Sequence, residues 1–363
     1  MGGFFGKTLK LVTNRPDGIL RRIPGTRSFP ALPVVAAGMV LCAAAGAEDP
    51  AGSVYRRPAG GPAVLQAPAE PSAPAPPAAP AAPAQPAPTE SAESAEDRAA
   101  RAERVVAASF AGLARAESIS ARVRHLVRFG DNVAKGSGRY IQSGVGEDQR
   151  YRYEYRLTTG DQECEVLEVC DGVSAWNFRR IEPYPPTVER IDVRRVCERL
   201  DALGVTHRKE QSAHLGGVQR HLCLLRHYFR FSSIVSGVID DVPVWVVEGG
   251  WDRTTLAWIL KDKAEVINSP AGIPPHELPE GMPFAVRISI SKRELFPCRV
   301  EWLAVPGKRP VAAAPAEVVG RLEFYDVRIG EPVDVSGFVY RPATEGLNDI
   351  TESYVPMLFP LRP

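Results

Sequence analysis

Between Arg150 and Leu157 the chain reads RYRYEYRL, with Tyr151, Tyr153, Tyr155 and Leu157 on odd positions and Arg150, Arg152, Glu154 and Arg156 on even ones. A period of two belongs to a β-strand, whose successive side chains point to opposite faces. A helix would scatter both sets around its axis. The segment therefore predicts a strand with an aromatic face and a charged face, and the fold around it must give the tyrosines a cover.

The surrounding sequence repeats the pattern. In ISARVRHLVRFG, Ile119, Ala121, Val123, His125, Val127 and Phe129 share one face, with Arg122, Arg124 and Arg128 opposite. Glycine-rich KGSG reads as a turn, RYIQSG as a further strand, and ECEVLEV and SAWNF as two more joined by the turn signal Asp171-Gly172. Apolar spacings of three and four predict a helix over AEDRAARAERVVAASFAGLARAE, through Ala99, Ala102, Val106, Phe110 and Leu113. The same spacing occurs in IDVRRVCERLDAL (Val193, Val196, Leu200, Leu203) and in GGVQRHLCLLRHYFRF (Val218, Leu222, Leu225, Phe229). Strands resume with VPVWVVEGG around an Asp240-Asp241 turn, and WDRTTLAWILKDKAEVI is assigned to a helix by its length. A proline-rich loop from Ser269 to Pro283 precedes FAVRISISK, CRVEWLAV and VVGRLEFYDVRIG. In the last of these the apolar parity switches between Phe324 and Tyr325, which predicts a bulge there. The fold class is mainly β with helices (α+β): about ten strands in one half-open antiparallel barrel or strongly curved sheet, with a helical lid.

The ends are organised differently. Lys7, Lys10, Arg15, Arg21, Arg22 and Arg27 precede an uncharged run, Ser28 to Ala47, that closes in Ala45-Gly46-Ala47 before Glu48 and Asp49. Residues 1–47 read as a cleaved signal peptide or as a signal anchor holding the chain to the inner membrane. Lipid attachment at Cys42 is a third reading, against which the large Leu41 stands. Each takes the remainder out of the cytoplasm, to the periplasm or cell envelope. Residues 48–96 are expected to form a Pro/Ala-rich disordered linker, with eight prolines between Pro71 and Pro88. Such a tract favours polyproline geometry, and 40 residues at about 3.1 Å each reach on the order of 100 Å. The folded domain spans 97–355, followed by a tail, 356–363.

Net charge is +1 on 363 residues, with no basic or acidic block, which argues against nucleic acid as a partner. No G-x-S-x-G, Walker loop or G-x-G-x-x-G occurs in the right context. His276-Glu277-Leu278-Pro279-Glu280 lacks the second histidine of H-E-x-x-H, and Pro279 breaks the helix that motif needs. His214, His221, His227 and Cys223 fall on two helix faces without a CxxC to complete a zinc site. Asp240-Asp241 is turn chemistry. The expectation is a protein that is not an enzyme, with no catalytic residue, no metal and no cofactor. Without Cys42 an odd set of thiols remains (Cys164, Cys170, Cys197, Cys223, Cys298), read mostly as small buried hydrophobes, with a Cys164–Cys170 bridge as the alternative.

Three local patterns, taken in order, resemble the LolA-like outer-membrane lipoprotein carriers: GSGRYIQSGVG as a glycine-rich second-strand hairpin, Asp171-Gly172-Val173-Ser174-Ala175-Trp176 as a D-G-x-x-x-W turn and strand, and Phe338-Val339-Tyr340-Arg341-Pro342 as a late F-x-[F/Y]-x-P strand. The family's Arg-Pro segment has no counterpart in Glu147–Tyr153. The resemblance implies a half-open barrel whose helices cover an apolar concavity, and an exported carrier that shelters lipoprotein acyl chains or another lipid. The residues expected to line the concavity are Tyr151, Tyr153, Tyr155, Trp176, Phe178, Val286, Ile288, Ile290, Val300 and Trp302. The alternative is a membrane-tethered envelope sensor with the same fold and an envelope membrane-protein partner; a hydrolase ranks third. The expected state is a monomer.

Overall fold

A computed structural model describes residues 94–130, 132–204, 215–279, 281–305, 316–342 and 347–358. Residues 1–47, read above as a signal peptide or anchor, nearly all of the Pro/Ala tract and His214 lie outside the described residues. The first helix, α1 (Ala95–Arg115), begins inside the segment assigned to the linker, and Ser94 caps it by accepting from Asp97 N–H. Two meanders follow. The first contains β1 (Ser118–Phe129), β2 (Asn132–Ser143), β3 (Arg150–Thr159), β4 (Gln162–Cys170), β5 (Ser174–Ile181) and β6 (Thr187–Asp192). After α2 (Val193–Ala202) and α3 (Gly217–Tyr228), the second contains β7 (Phe229–Ile239), β8 (Val242–Trp251), β9 (Ala285–Ser291), β10 (Pro297–Ala304) and β11 (Glu317–Ile329). Two short helices, α4 (Arg253–Ile259) and α5 (Ala264–Asn268), separate β8 from β9. The last described elements are β12 (Leu347–Asp349) and α6 (Thr351–Leu358).

The strands form one open, curved sheet in the order β12-β6-β5-β4-β3-β2-β1-β11-β10-β9-β8-β7. All described neighbours pair antiparallel except β12 with β6. The curved, half-open β architecture with helices expected from the sequence is present, with twelve strands rather than about ten; β6 and β12 were not anticipated. β1 and β11 join the two meanders, and the extra residue of their bulge falls at Asp326 and Val327, just past the parity switch at Phe324 and Tyr325. Asp326 adopts φ 51° there.

Several local expectations are corrected. KGSG is not a turn but part of β2, and GSGRYIQS is a continuous strand whose hairpin comes only after Ser143. Gly136 and Gly138 are needed because β3 crosses very close to them: a Cβ on Gly138 would lie 1.9 Å from the Glu154 carbonyl oxygen. Phe229 is the first residue of β7, not the end of a helix. The rod predicted from Trp251 breaks at Leu260, so that Leu256, Ala257, Leu260 and Ile267 close around Met282 in a small core of their own. No disulfide joins Cys164 and Cys170, which lie six positions apart along one strand and so about 20 Å from each other. Among the described residues no helix is long and apolar enough to cross a membrane.

The Phe338–Pro342 motif is a strap rather than a strand. A single turn at Val335–Phe338, capped by Asp334, lays Gly337 against Ile141 on the convex face, and Arg152 Nη1 donates to Gly337 O at 3.2 Å. Phe338 is fully buried there and Tyr340 meets the Trp176 ring edge-on. The strap then reaches the β6 edge as β12 and turns over it into α6. Elsewhere the convex face carries charge ladders such as Glu248–Arg287–Glu301–Arg321, one residue from each of β8 to β11.

Candidate functional site

Cross-strand registers fix which side chains share the concave face. Tyr151 is opposite Cys170 and Cys170 opposite Ala175; Tyr153 is opposite Glu168 and Glu168 opposite Asn177. On the other half Val300 is opposite Ile288 and Leu322, and Trp302 opposite Val286. Tyr151, Tyr153, Val286, Ile288, Ile290, Val300 and Trp302 thus belong to one contiguous core beneath α1 and α3, with Tyr155 half-buried at its margin. Trp176 and Phe178 do not join them. They are opposite Val169 and Leu167, on the face of Arg152 and Glu154. The connection Asp171-Gly172-Val173, in which Asp171 Oδ1 accepts from Val173 and Ser174 N–H, sets the parity so that Ala175 and Asn177 point inward. The convex strap supplies the apolar cover that aromatic residues on that side require.

The cover is tied down at Leu215-Gly216-Gly217, the entry to α3. The hydroxyls of Tyr151 and Tyr354 both donate to Leu215 O, at 2.9 and 3.0 Å, and Gly217 N donates to Glu168 Oε2 at 3.3 Å. A Cβ on Gly216 would fall 2.0 Å from the Tyr151 hydroxyl oxygen, so only glycine lets the loop press this closely. Burial pushes the Tyr151 hydroxyl well above its ordinary pKa and that of Tyr354 up to about 12, so both keep the proton they donate. Deeper in, Tyr140 donates to Gln142 Oε1 at 2.6 Å, and the amides of Gln142 and Gln219 both reach Leu113 O at the end of α1. Three buried polar atoms on the cover have no hydrogen-bond partner among the described residues: Ser109 Oγ on α1, and Gln219 Oε1 and Arg220 Nε on α3. The Arg220 guanidinium lies over the Tyr354 ring, 5.4 Å from its centroid.

At the margin of the covered region, His125 Nε2 and the Tyr153 hydroxyl share a 2.6 Å hydrogen bond, and His125 stacks on Tyr155 at 4.2 Å. Burial, reinforced by the charge of neighbouring His221, pushes His125 down to about 3. The pair is therefore neutral around pH 7, without a general base poised near that pH. The pKa depression has a consequence for stability. The unfolded chain takes up a proton near pH 6.5 that the folded chain refuses, so stability present above pH 6.5 is lost as pH falls toward 3. At pH 5 the loss from this residue is at most about 2 kcal/mol. His125→Gln, which retains a partner for Tyr153, is expected to flatten the difference between urea midpoints at pH 7 and pH 5. An unchanged difference would assign the acid sensitivity elsewhere.

Glu168, Gln142, Gln219, Arg220, Tyr354 and the Leu215–Gly217 loop were not anticipated. One signal was available: the row Cys164, Val166, Glu168, Cys170 places a single carboxylate on an otherwise apolar face. Among the described residues no three His, Cys, Asp or Glu side chains gather as metal ligands.

No protein-family model matches the chain, and no curated protein matches it in sequence. Solved structures are similar to it in fold, at low sequence identity. A putative outer membrane lipoprotein-sorting protein domain from Vibrio parahaemolyticus is 12% identical, over 65% of this chain and 97% of its own, at a TM-score of 0.26. A LolA superfamily protein from Nitrosomonas europaea is 12% identical, over 66% of this chain and 97% of its own, at a TM-score of 0.23. LprF from Mycobacterium bovis is 10% identical, covering 65% and 96%, at 0.27.

Proposed function

We propose that this chain is an exported, non-catalytic carrier that shelters acyl chains, of a lipoprotein or another lipid, on the concave face of its open sheet. The observation that carries this reading is the nature of the cover. The apolar face is closed by helices α1 and α3 rather than by a second sheet, and those helices bury three polar atoms without partners. Each such atom costs about 1–3 kcal/mol that hydration would recover. Lifting α3 therefore returns part of what it loses in apolar contact, and an acyl chain, at about 0.8 kcal/mol per buried CH₂, replaces the rest. The motif resemblance to the lipoprotein carriers agrees with this reading and with a location in the cell envelope. In this reading export and any anchor rest on residues 1–47, and residues 48–96 serve as the linker.

The test is direct. Native mass spectrometry of the purified domain is expected to show bound lipid, and a fluorescent fatty acid is expected to bind the stripped protein. Tyr151→Phe with Tyr354→Phe removes both donors to Leu215 O, worth about 1 kcal/mol each. The open population should rise about 30-fold, read as faster probe uptake and faster amide exchange across α3. A lipid-free protein that ignores the probe in both forms would end the lipid reading.

A further inference from the structure

Arg220 stands one turn into α3 and is 7% exposed, so its guanidinium lies in the interior rather than in water. A guanidinium donates from every nitrogen and accepts at none. Yet its Nε has no hydrogen-bond partner, and no carboxylate of the described residues stands within ion-pairing distance. The Tyr354 ring beneath it, 5.4 Å away at the centroid, attracts the cation but takes up none of the N–H groups in the guanidinium plane. Glu168 and, more weakly, Glu189 act on the charge through space. The Glu168 carboxylate is engaged elsewhere, accepting from Gly217 N at 3.3 Å. A buried charge without a hydrogen-bonded partner is among the most costly groups a fold can hold. This one also has a direction. Helical side chains lean toward the helix N-terminus, which carries Arg220 back over Gly216-Gly217. There α3 begins on two residues without Cβ, with the hydroxyls of Tyr151 and Tyr354 alongside on Leu215 O. A helix start of this kind receives oxyanions.

We propose that the start of α3 is a headgroup site, where Arg220 and the Gly217 N–H hold the oxyanion of an acyl lipid, a carboxylate or a phosphate, as its chain enters beneath the cover. The planar fork of arginine matches both anions, donating two parallel hydrogen bonds to either. Resting on the carrier reading above, the site narrows the cargo to a lipid with a charged head, because an acyl chain in ester or amide linkage to a protein brings no anion. Glu168 holds the place in the lipid-free fold: its carboxylate takes the Gly217 N–H that the headgroup takes on binding, and balances Arg220 without touching it.

Displacement of Nile red, a neutral apolar dye, from the stripped protein compares three ligands with one tail: dodecanol, dodecanoate and dodecyl phosphate. Charge-assisted hydrogen bonds should make at least one anion bind about 10- to 100-fold more tightly than the alcohol. The tighter anion names the head, a fatty carboxylate or a lipid phosphate. Arg220→Gln should bring the ratio of anion to alcohol affinity to about one, and Arg220→Lys, which keeps the charge without the fork, should retain part of it. Glu168→Gln removes the competing carboxylate and should widen the ratio. No hydrogen bond is lost with the guanidinium, so Arg220→Gln is expected to fold; the preference of the parent chain is measurable whether or not it does. If the parent binds alcohol and anions alike, the carrier reading stands and the headgroup site is overturned. A preference that survives Arg220→Gln overturns it too. A protein that binds neither the dye nor any of the three ligands overturns both.

Discussion

Gly138→Val is expected to yield no folded protein. Gly138 faces Tyr155 across the β2–β3 ladder, and its missing side chain is where β3 runs: the Glu154 carbonyl oxygen would stand 1.9 Å from a Cβ and the Tyr155 Cα 2.7 Å. Gly136, two residues earlier, is closer still, at 1.8 Å from the Arg156 carbonyl oxygen. These obstacles are backbone atoms, so no rotamer change relieves them. Even a methyl group must push β3 away from β2 and break the ladder that holds Tyr151 and Tyr153 in place. The cost exceeds about 4 kcal/mol, a large part of a domain's stability. Soluble yield and urea unfolding of Gly138→Ala and Gly138→Val would measure it. Gly112→Ala is the control of opposite sign: nothing lies within 4 Å of that position inside α1, and alanine there should stabilise by up to about 1 kcal/mol. A Gly138→Ala protein as stable as the parent would rule out this close crossing of β2 and β3.

Phe338→Ala should lower stability by about 3–4 kcal/mol, the cost of emptying a buried phenylalanine site. Phe338 is the buried anchor of the strap on the convex face. With it gone, the Arg152–Gly337 hydrogen bond and the Trp176–Tyr340 contact lose their support. Trp176 gives this variant a second readout, because loosening the strap should shift its fluorescence toward the red before global unfolding. A shift without a lowered urea midpoint would make the strap a local attachment instead of part of the cooperative unit.

The strands around RYRYEYRL were legible because their alternation is nearly unbroken and only one face is apolar. The same rule failed at Trp176 and Phe178. Aromatic character was read as inward-facing, but the three-residue connection before β5 set the parity, and the strap that covers the convex face comes from more than 150 residues later in the chain. KGSG was misread for a related reason. Glycine marks a turn in local terms, whereas here it answers a tertiary demand, the close crossing of β3. The Leu215 clamp was out of reach altogether. Two tyrosines 203 positions apart, Tyr151 and Tyr354, converge on one carbonyl, and nothing local in either segment announces the other.

The strand order also bears on how the domain assembles. All but two strand pairings join neighbours in sequence, so each meander can zip from its own hairpins. The exceptions are β1 with β11 and β6 with β12. In the first, Val123 meets Phe324 across some 200 residues of intervening chain. Closing that loop is the entropic toll of the fold, and until it closes both β1 and β11 present raw edges. The refolding rate should therefore respond most to substitutions in these two strands. Changes confined to the strap should act mainly on the unfolding rate.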